Sequence, residues 1–476
     1  MMKGLRNMVA TAGSLLLIGL FVVAVAPARA SVEERIKALE EELAQLKGEQ
    51  MELRKEATAA KAKLPSFRYR PGKGWFITAA DKSWAWRFFY RFYVYSYNNT
   101  DGNDARGAST MDFNFRRNRP NWTMWWEDGF YEIRSSLDVD TGTATKVNSQ
   151  TAEFRFHLEK LNPFLPTIGI HDKGGPSAGF VARSSSKSAV VEYTRDLMTD
   201  SGVDTLSHRG ISLLWNRVRL WRSGTVTLNV GYIPCPGCNK DTKALTDRGQ
   251  FELVLGSRPF SKTKNKWLKK LKLGVNWKTG SMDSRGHSSS TRRIRLRETN
   301  RTPRVTIFEA KGIGDGAHNY WHYGVEWGVG PYLIRANGVT SRWEGKEDSF
   351  RGVHGRVFGI AHQLFIWSPK GPLTGKANKA GSLLVGYRFA RADADCGLPG
   401  CDSKGGSERN HYYENEWDIW YWIRPALSVG IWVVHSNAAN MRIKDQVTVG
   451  CRKNSATDPS KSCSWTSVNF GLRSDW

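Results

Sequence analysis

Apolar and polar residues alternate in short runs along most of the chain, and this period of two is typical of β-strands. In the clearest run, Leu271, Leu273, Val275 and Trp277 alternate with Lys270, Lys272, Asn276 and Lys278. Another run starts at Trp84 and carries Arg87 and Arg91 at its polar positions, and further runs end the chain. Each such segment has one apolar and one polar face, so the pattern predicts a sheet between an apolar medium and water.

Short turns separate pairs of these runs, and longer polar stretches separate the others. The predicted short turns are Glu127 to Gly129, Asn162 to Pro166, Trp221 to Gly224, Gly330-Pro331 and Arg424 to Ala426. Together they predict about sixteen antiparallel strands over residues 84–476. Pro120 cannot donate to a ladder and predicts a bulge or break in the second strand. Because strands cross lipid only in a closed sheet, the predicted fold class is an all-β transmembrane barrel.

Residues 31–64 follow a different period. Their apolar positions are separated by alternating four- and three-residue steps and are Val32, Ile36, Leu39, Leu43, Leu46, Leu53, Ala57, Ala60 and Leu64, with Gln50 in the single gap. This heptad pattern predicts a helical coiled coil that self-associates, and a trimer is expected. The alternative is a solitary amphipathic helix. Pro65 should end the helix, and residues 65–83 are predicted to be a linker.

The first thirty residues have the pattern of a secretory signal. Lys3 and Arg6 precede an apolar run, and Ala28-Arg29-Ala30 fits a cleavage site, so residues 1–30 should be removed. The alternative, an uncleaved anchor, would need about 20 apolar residues. Export and an even strand number predict a barrel in the outer membrane of a Gram-negative-type envelope. The coiled coil would lie in the periplasm, where it could contact the cell wall.

The composition of the chain gives it a positive net charge. The chain has 70 Lys and Arg against 45 Asp and Glu, a formal net charge of +25, and it contains 20 Trp and 15 Tyr. A basic barrel attracts inorganic anions, and Trp and Tyr are frequent at membrane interfaces. The alternative for the basic surplus is a surface that meets lipid headgroups. Export argues against a nucleic-acid partner.

Several motifs, taken in chain order, resemble the OprP/OprO family of phosphate-selective porins. They are the coiled coil after the signal, Phe115-Arg116-Arg117-Asn118-Arg119, Ile168-Gly169-Ile170-His171-Asp172-Lys173, Ser184-Ser185-Ser186, Glu192-Tyr193-Thr194-Arg195, His208-Arg209-Gly210-Ile211, Glu326 to Tyr332 and the closing strand. The resemblance implies a trimer of sixteen-stranded barrels, an external loop folded into the lumen, and basic residues that pass anions, phosphate among them. The infolded loop predicted in this sequence is 174–208.

Candidate residues of the anion pathway follow from this arrangement. The constriction candidates on or beside the infolded loop are Lys173, Arg183, Lys187 and Arg195, and the candidates for the lumen wall are Arg87, Arg91, Lys270, Lys272 and Lys278. For each residue, a solvated charge or an ion pair with a nearby carboxylate is an equally open interpretation. A basic external loop contains Arg292, Arg293, Arg295 and Arg297, and it could attract anions or bind lipopolysaccharide phosphates.

Six cysteines form three local pairs in predicted external loops: Cys235 with Cys238, Cys396 with Cys401, and Cys451 with Cys463. In an oxidising compartment such pairs predict disulfides that staple loops. The C-x-x-C spacing of the first pair leaves a metal or redox site as the alternative.

No catalytic or cofactor-binding motif is recognisable, so an enzyme is not expected. The predicted function is a porin for passive diffusion of small anions. Two alternatives stay open: an envelope tether in which the helical segment matters most, and a barrel that sheathes a partner such as an electron-carrier protein.

Overall fold

The computed structural model describes the chain in fourteen ranges: 32–71, 73–99, 112–140, 146–173, 210–221, 223–233, 249–282, 293–297, 306–311, 316–345, 353–367, 380–396, 410–439 and 463–475. The chain divides into two units, Met1–Pro65 and Ser66–Trp476. Within the described ranges, no helix combines the length and hydrophobicity needed to cross a bilayer.

Among its described residues, the first unit contains one helix, α1 (Val32–Lys63), which ends two residues before Pro65. Proline removes a backbone donor and disfavours helical geometry in the preceding residue. The heptad side chains Ile36, Leu39 and Leu43 are about half exposed in the single chain. The apolar heptad positions of α1 are therefore substantially exposed in the single chain.

The second unit is almost entirely β-structure. Its strands are β1 (Ser66–Arg70), β2 (Gly74–Thr78), β3 (Trp84–Asn99), β4 (Asp112–Trp126), β5 (Tyr131–Asp140), β6 (Lys146–His157), β7 (Thr167–Lys173), β8 (Gly210–Trp221), β9 (Gly224–Ile233), β10 (Gln250–Arg258), β11 (Lys272–Met282), β12 (Arg293–Arg297), β13 (Thr306–Lys311), β14 (Gly316–Val329), β15 (Tyr332–Gly345), β16 (Val353–Trp367), β17 (Leu383–Cys396), β18 (Asn410–Arg424), β19 (Leu427–Ala439) and β20 (Cys463–Asp475). Two short 3₁₀ turns, Leu158–Lys160 and Leu268–Lys270, lie between strands.

Eighteen of these strands form one antiparallel sheet, and β12 and β13 form a separate hairpin. Consecutive strands of the large sheet pair with one another, with β11 joined directly to β14. The last strand, β20, pairs with β3 from Ser467↔Asn99 to Asp475↔Arg91. Each strand from β3 to β11 and from β14 to β20 therefore has a neighbour on both sides.

One edge of β3 is divided between two partners. Residues 85–88 pair with β2, and residues 91–99 pair with β20. The β1–β2 hairpin lies inside the segment 65–83, which the sequence had assigned to a linker. That segment instead extends the sheet.

Pro120 lies inside the continuous strand β4, opposite Tyr90 of β3. The ladder between β4 and β5 stops at Asn121↔Ser136, immediately before the proline. A bulge with β3 also occurs near Arg116, where Tyr93↔Arg117 is followed by Val94↔Phe115. The predicted interruption is therefore present in the ladder, while the strand itself runs on.

Connections on the two ends of the strands differ in length. One end carries the connections 127–130, 158–166, 222–223, 259–271, 330–331, 368–382 and 425–426. The opposite end carries 100–111, 141–145, 174–209, 234–249, 283–315, 346–352, 397–409 and 440–462. All five turns predicted from the sequence belong to the first group, which is called the short-turn end below.

Candidate functional site

The two faces of the sheet have an inverted distribution of polarity. On β18, the apolar side chains of Trp417, Ile419 and Tyr421 are 45–48% exposed, whereas Glu416 and Asp418 are at most 1% exposed. A sheet in a water-soluble protein buries its apolar face and exposes its polar face. This sheet does the opposite, so its buried polar face is the candidate functional site and its exposed apolar face fits contact with lipid.

Carboxylates are frequent on the buried polar face. Among the described residues, seven buried acidic side chains occur with four buried Lys or Arg side chains. The acids are Glu132, Glu153, Glu252, Glu326, Glu414, Glu416 and Asp418, and the bases are Lys278, Arg335, Arg388 and Arg473. The positive surplus of the whole chain therefore does not extend to its most buried charges.

Two predicted wall residues lie on the polar face, but each contacts a carboxylate. Lys272 pairs with Glu326, whose other carboxylate oxygen accepts a hydrogen bond from Arg335 Nε at 2.9 Å. Lys278 Nζ lies 3.5 Å from Glu252 Oε1, which also accepts a bond from Asn276 at 2.8 Å. The register explains both contacts, because Lys272 lies directly opposite Glu326 and Lys278 opposite Glu252. These five charged residues, Lys272, Lys278, Glu252, Glu326 and Arg335, are called the paired wall.

A second buried ion cluster lies on β17 and β18. Arg388 Nη2 is 2.9 Å from Glu414 Oε2 and 2.7 Å from Glu416 Oε2. Tyr412 Oη donates to the other oxygen of Glu414 at 2.6 Å. One guanidinium thus bridges two acids, and the cluster is held by charge-assisted bonds.

The two arginines among the predicted wall residues have different surroundings. Arg87 donates from Nε to the carbonyl of Lys73 at 2.7 Å and lies between the rings of Phe76 and Phe89, 5.6 and 5.2 Å from their centroids. Arg91 also lies 5.0 Å from the centroid of Phe89. Within the described part of the chain, Arg87 has no carboxylate partner. Cation–π contacts hold guanidinium groups in place without cancelling their charge.

Arg119 of β4 lies directly opposite Arg91 in the β3–β4 ladder. Like charges at opposed positions destabilise a sheet, and side chains there start only about 5 Å apart. Planar guanidinium groups bind oxyanions through pairs of hydrogen bonds, so two of them on opposed positions are a candidate anion site. Arg87, Arg91 and Arg119 are called the arginine wall.

Two carboxylates hold turns in place at the short-turn end of the sheet. In the turn that leads into β3, Asp81 Oδ1 accepts bonds from the Ser83 hydroxyl at 2.7 Å and the Ser83 N–H at 3.0 Å, and these bonds lower the pKa of Asp81. Burial opposes ionisation of Glu159, but hydrogen bonds from His157 and Thr167 outweigh it and lower the pKa of Glu159. Both carboxylates therefore act as acceptors that order turns at the short-turn end.

Aromatic side chains cover the polar face where β18, β19, β20 and β3 meet. Trp420 and Trp432 stack at 5.7 Å, and Tyr95 meets Trp432 edge-on at 5.0 Å. Arg473 lies 3.9 Å from the Trp420 ring centroid, and its Nε donates to Tyr95 Oη at 3.0 Å. The indoles lie flat because the neighbouring strands carry glycine: a Cβ on Gly430 would be 2.4 Å from Trp420.

The remaining predicted residues have varied positions. Lys270 lies in the exposed 3₁₀ turn before β11 and is not part of a strand wall. Lys173 ends β7, and Arg293, Arg295 and Arg297 lie in β12 of the separate hairpin. Cys396 ends β17 and Cys463 begins β20. The candidates that lie outside the described residues are Arg183, Lys187, Arg195, Arg292, Cys235, Cys238, Cys401 and Cys451. The predicted infolded loop, 174–208, also lies outside them.

Sequence reasoning missed the carboxylates of the paired wall and Arg119. Glu252 alternates with Phe251 and Leu253, which is a readable signal for the polar face. Its partnership with Lys278 depends on the strand register, which alternation does not reveal. Arg119 belongs to the Phe115–Arg119 motif, but that motif does not show that Arg119 lies opposite Arg91.

Comparison with solved structures finds outer-membrane proteins of low sequence identity. The trimer form of in-vitro folded OmpT from Vibrio cholerae aligns with 83% of this chain and 100% of its own, with 9% identity and a TM-score of 0.49. The channel DcaP of Acinetobacter baumannii covers 83% of this chain and 98% of its own, at 8% identity and a TM-score of 0.48. OmpF of Salmonella typhi in complex with daunomycin gives the same coverage, 8% identity and a TM-score of 0.47.

No protein-family model matches the sequence, and no curated protein matches it significantly. The resemblance to the OprP/OprO family therefore stays a prediction.

Proposed function

We propose that this chain is an outer-membrane porin in which β3–β11 and β14–β20 form a closed sixteen-stranded transmembrane barrel. The observation that carries the proposal is the inverted polarity of a sheet whose last strand, β20, pairs with β3. Unpaired strand edges are not tolerated in lipid, and closure removes them. The contrast between short and long connections supports the same architecture and assigns the short-turn end to the periplasm.

The proposed solutes are small inorganic anions, with phosphate among them. The arginine wall supports this preference because Arg87 keeps its charge and because Arg91 and Arg119 are opposed. Guanidinium groups bind phosphate oxygens in pairs, and several moderate contacts allow an ion to enter and leave. The paired wall contributes less, because its three cations share two carboxylates.

Planar-bilayer recording of the purified protein under a KCl gradient tests this function. A channel with a reversal potential that favours chloride supports it, and added phosphate should reduce the chloride current by competition. An absence of conductance would instead favour the envelope tether. A reversal potential that favours potassium would contradict the proposed anion preference.

We also propose that α1 self-associates as a coiled coil in the periplasm and that the protein is a homotrimer. The exposed seam of Ile36, Leu39, Leu43 and Leu46 supports this, because an apolar stripe of this kind is normally buried by another helix. Light scattering should report three chains in detergent. The double substitution L43N/L46N should weaken the assembly, whereas the exposed E41Q/E52Q pair should not.

A further inference from the structure

The longest described connection at the short-turn end is the segment 259–271 between β10 and β11, called the basic turn. It contains no Asp or Glu. Its five lysines, Lys262, Lys264, Lys266, Lys269 and Lys270, are all exposed. None of them has a carboxylate partner within the described part of the chain. Five like charges are therefore held together on one turn.

The basic turn is held by its own hydrogen bonds. Asn265 Oδ1 accepts bonds from the backbone N–H groups of Trp267 at 2.9 Å and Leu268 at 3.3 Å. The Asn265 carbonyl accepts a bond from the Lys269 N–H at 3.0 Å. A side chain that caps backbone donors in this way fixes a turn. The tip is consequently ordered before any partner binds.

Contacts with both neighbouring hairpins fix the basic turn in position. On one side, the Lys262 N–H donates to the Ser223 carbonyl at 2.9 Å, and Ser223 Oγ donates to the Pro259 carbonyl at 3.1 Å. On the other side, Trp327 Nε1 of β14 donates to the Trp267 carbonyl at 2.8 Å. The charged tip is thus anchored to the edge of the sheet.

Two apolar side chains project among these lysines. Trp267 is 63% exposed and Leu268 is 36% exposed. The connection 158–166 at the same end offers a comparison: Phe164 is exposed, and its carbonyl likewise accepts a bond from an indole, that of Trp215, at 3.0 Å. That connection has one lysine, Lys160, and one acid, Glu159. Apolar tips are therefore shared by both connections, whereas the concentrated positive charge belongs to the basic turn.

We infer that the basic turn binds the headgroups of anionic phospholipids in the periplasmic leaflet of the outer membrane. This inference rests on the proposed orientation of the barrel. Trp side chains are favoured at the headgroup level, and lysines close to an anionic lipid surface strengthen binding by about fivefold each. The fixed backbone of the turn reduces the entropy lost on binding.

Binding of dansyl-labelled phosphatidylglycerol to the full chain in neutral detergent micelles tests the inference, with energy transfer from tryptophan as the readout. Labelled phosphatidylcholine serves as the lipid without net charge. We expect wild-type protein to bind phosphatidylglycerol at least tenfold more tightly than phosphatidylcholine. This preference should weaken when NaCl is raised, because salt screens exposed charges.

Replacing all five lysines by glutamine (K262Q/K264Q/K266Q/K269Q/K270Q) should abolish the preference for phosphatidylglycerol. The matched control K37Q/K47Q/K55Q/K73Q/K82Q removes the same charge from exposed lysines elsewhere and should retain it. If the five-lysine variant folds poorly, K264E/K266E provides a smaller change with the same expected direction. An unchanged preference in a folded variant would overturn the inference.

Competition identifies the source of the bound phosphate. Loss of the labelled lipid at millimolar inorganic phosphate would show a site for the free ion and overturn the inference, as would stronger displacement by soluble cell-wall fragments. Bilayer currents from the same samples separate the two proposals. Conductance without a preference for phosphatidylglycerol would contradict only the lipid-binding inference. A preference for phosphatidylglycerol without conductance would contradict only the proposed porin function.

Discussion

The arginine wall and the paired wall both place cations on the polar face of the sheet, but the partners of those cations differ. Arg87 is held by a backbone carbonyl and two phenylalanine rings. Lys272 and Lys278 each contact a carboxylate. Equal alternation in the sequence thus produces one wall in which Arg87 retains its charge and another in which three cations share two carboxylates. The sign of a pore depends on these partners more than on the count of cations.

The largest expected effect is on the stability of the paired wall. E326Q removes the carboxylate shared by Lys272 and Arg335, and breaking a buried ion pair on one side costs about 3 kcal/mol. Unfolding in urea, followed by the shift between folded and unfolded bands on gels, should show this loss. E127Q, in an exposed turn, is the control and should unfold like wild type. Equal midpoints for both variants would mean that Glu326 does not hold the wall together.

Charge reversal in the arginine wall should have the next largest effect. R87E/R91E should move the permeability ratio of chloride to potassium toward potassium by about fivefold or more, since one charge near an ion in water contributes about 1 kcal/mol. The reversal potential under a KCl gradient measures this change. R87K/R91K keeps the charge and should retain chloride preference. A reversal potential unchanged by R87E/R91E would exclude these residues from the ion pathway.

A neutral replacement in the paired wall should change selectivity much less. E252Q/K278Q removes one charge of each sign from a contacting pair, so the reversal potential should stay within about twofold of wild type. The single substitution E252Q should increase chloride preference, because it leaves the cation in place. If the double variant shifts the potential as strongly as R87E/R91E does, the two walls do not differ as proposed.

The smallest expected effect concerns the pH dependence of stability through Glu159, in the 158–166 connection. Its pKa is lower in the folded protein than the ordinary value of 4.5, so its contribution to stability is present above about pH 4.5 and is lost as pH falls through the lowered pKa. T167V removes one hydrogen bond and should raise that pKa. Because Glu159 is partly exposed, we expect well under 1 kcal/mol. Urea midpoints at pH 7 and pH 3.5 measure it, and a loss in T167V that is equal at both values would contradict the assignment.

Alternation assigns Lys272 and Lys278 to one face of a strand, because side chains on a strand alternate strictly, and both lie on β11 opposite a carboxylate. It failed two residues earlier at Lys270, where a 3₁₀ turn replaces the strand that the pattern had extended. The β1–β2 hairpin was readable in retrospect, since Pro71-Gly72 is a strong turn signal between alternating segments. The ion pair between Lys272 and Glu326 could not be predicted from the sequence. The two residues are distant in the chain, and only the strand register brings them together.

The division of one β3 edge between β2 and β20 has a practical consequence for shortened versions of the protein. Deleting the helical region should stop before Ser66, since a chain that starts at Trp84 would lack the partner of residues 85–88. Bare backbone donors and acceptors there would offer a template on which a second molecule could add a strand. The β1–β2 hairpin thus covers the part of the β3 edge that β20 leaves unpaired, and this should prevent association between molecules at that edge.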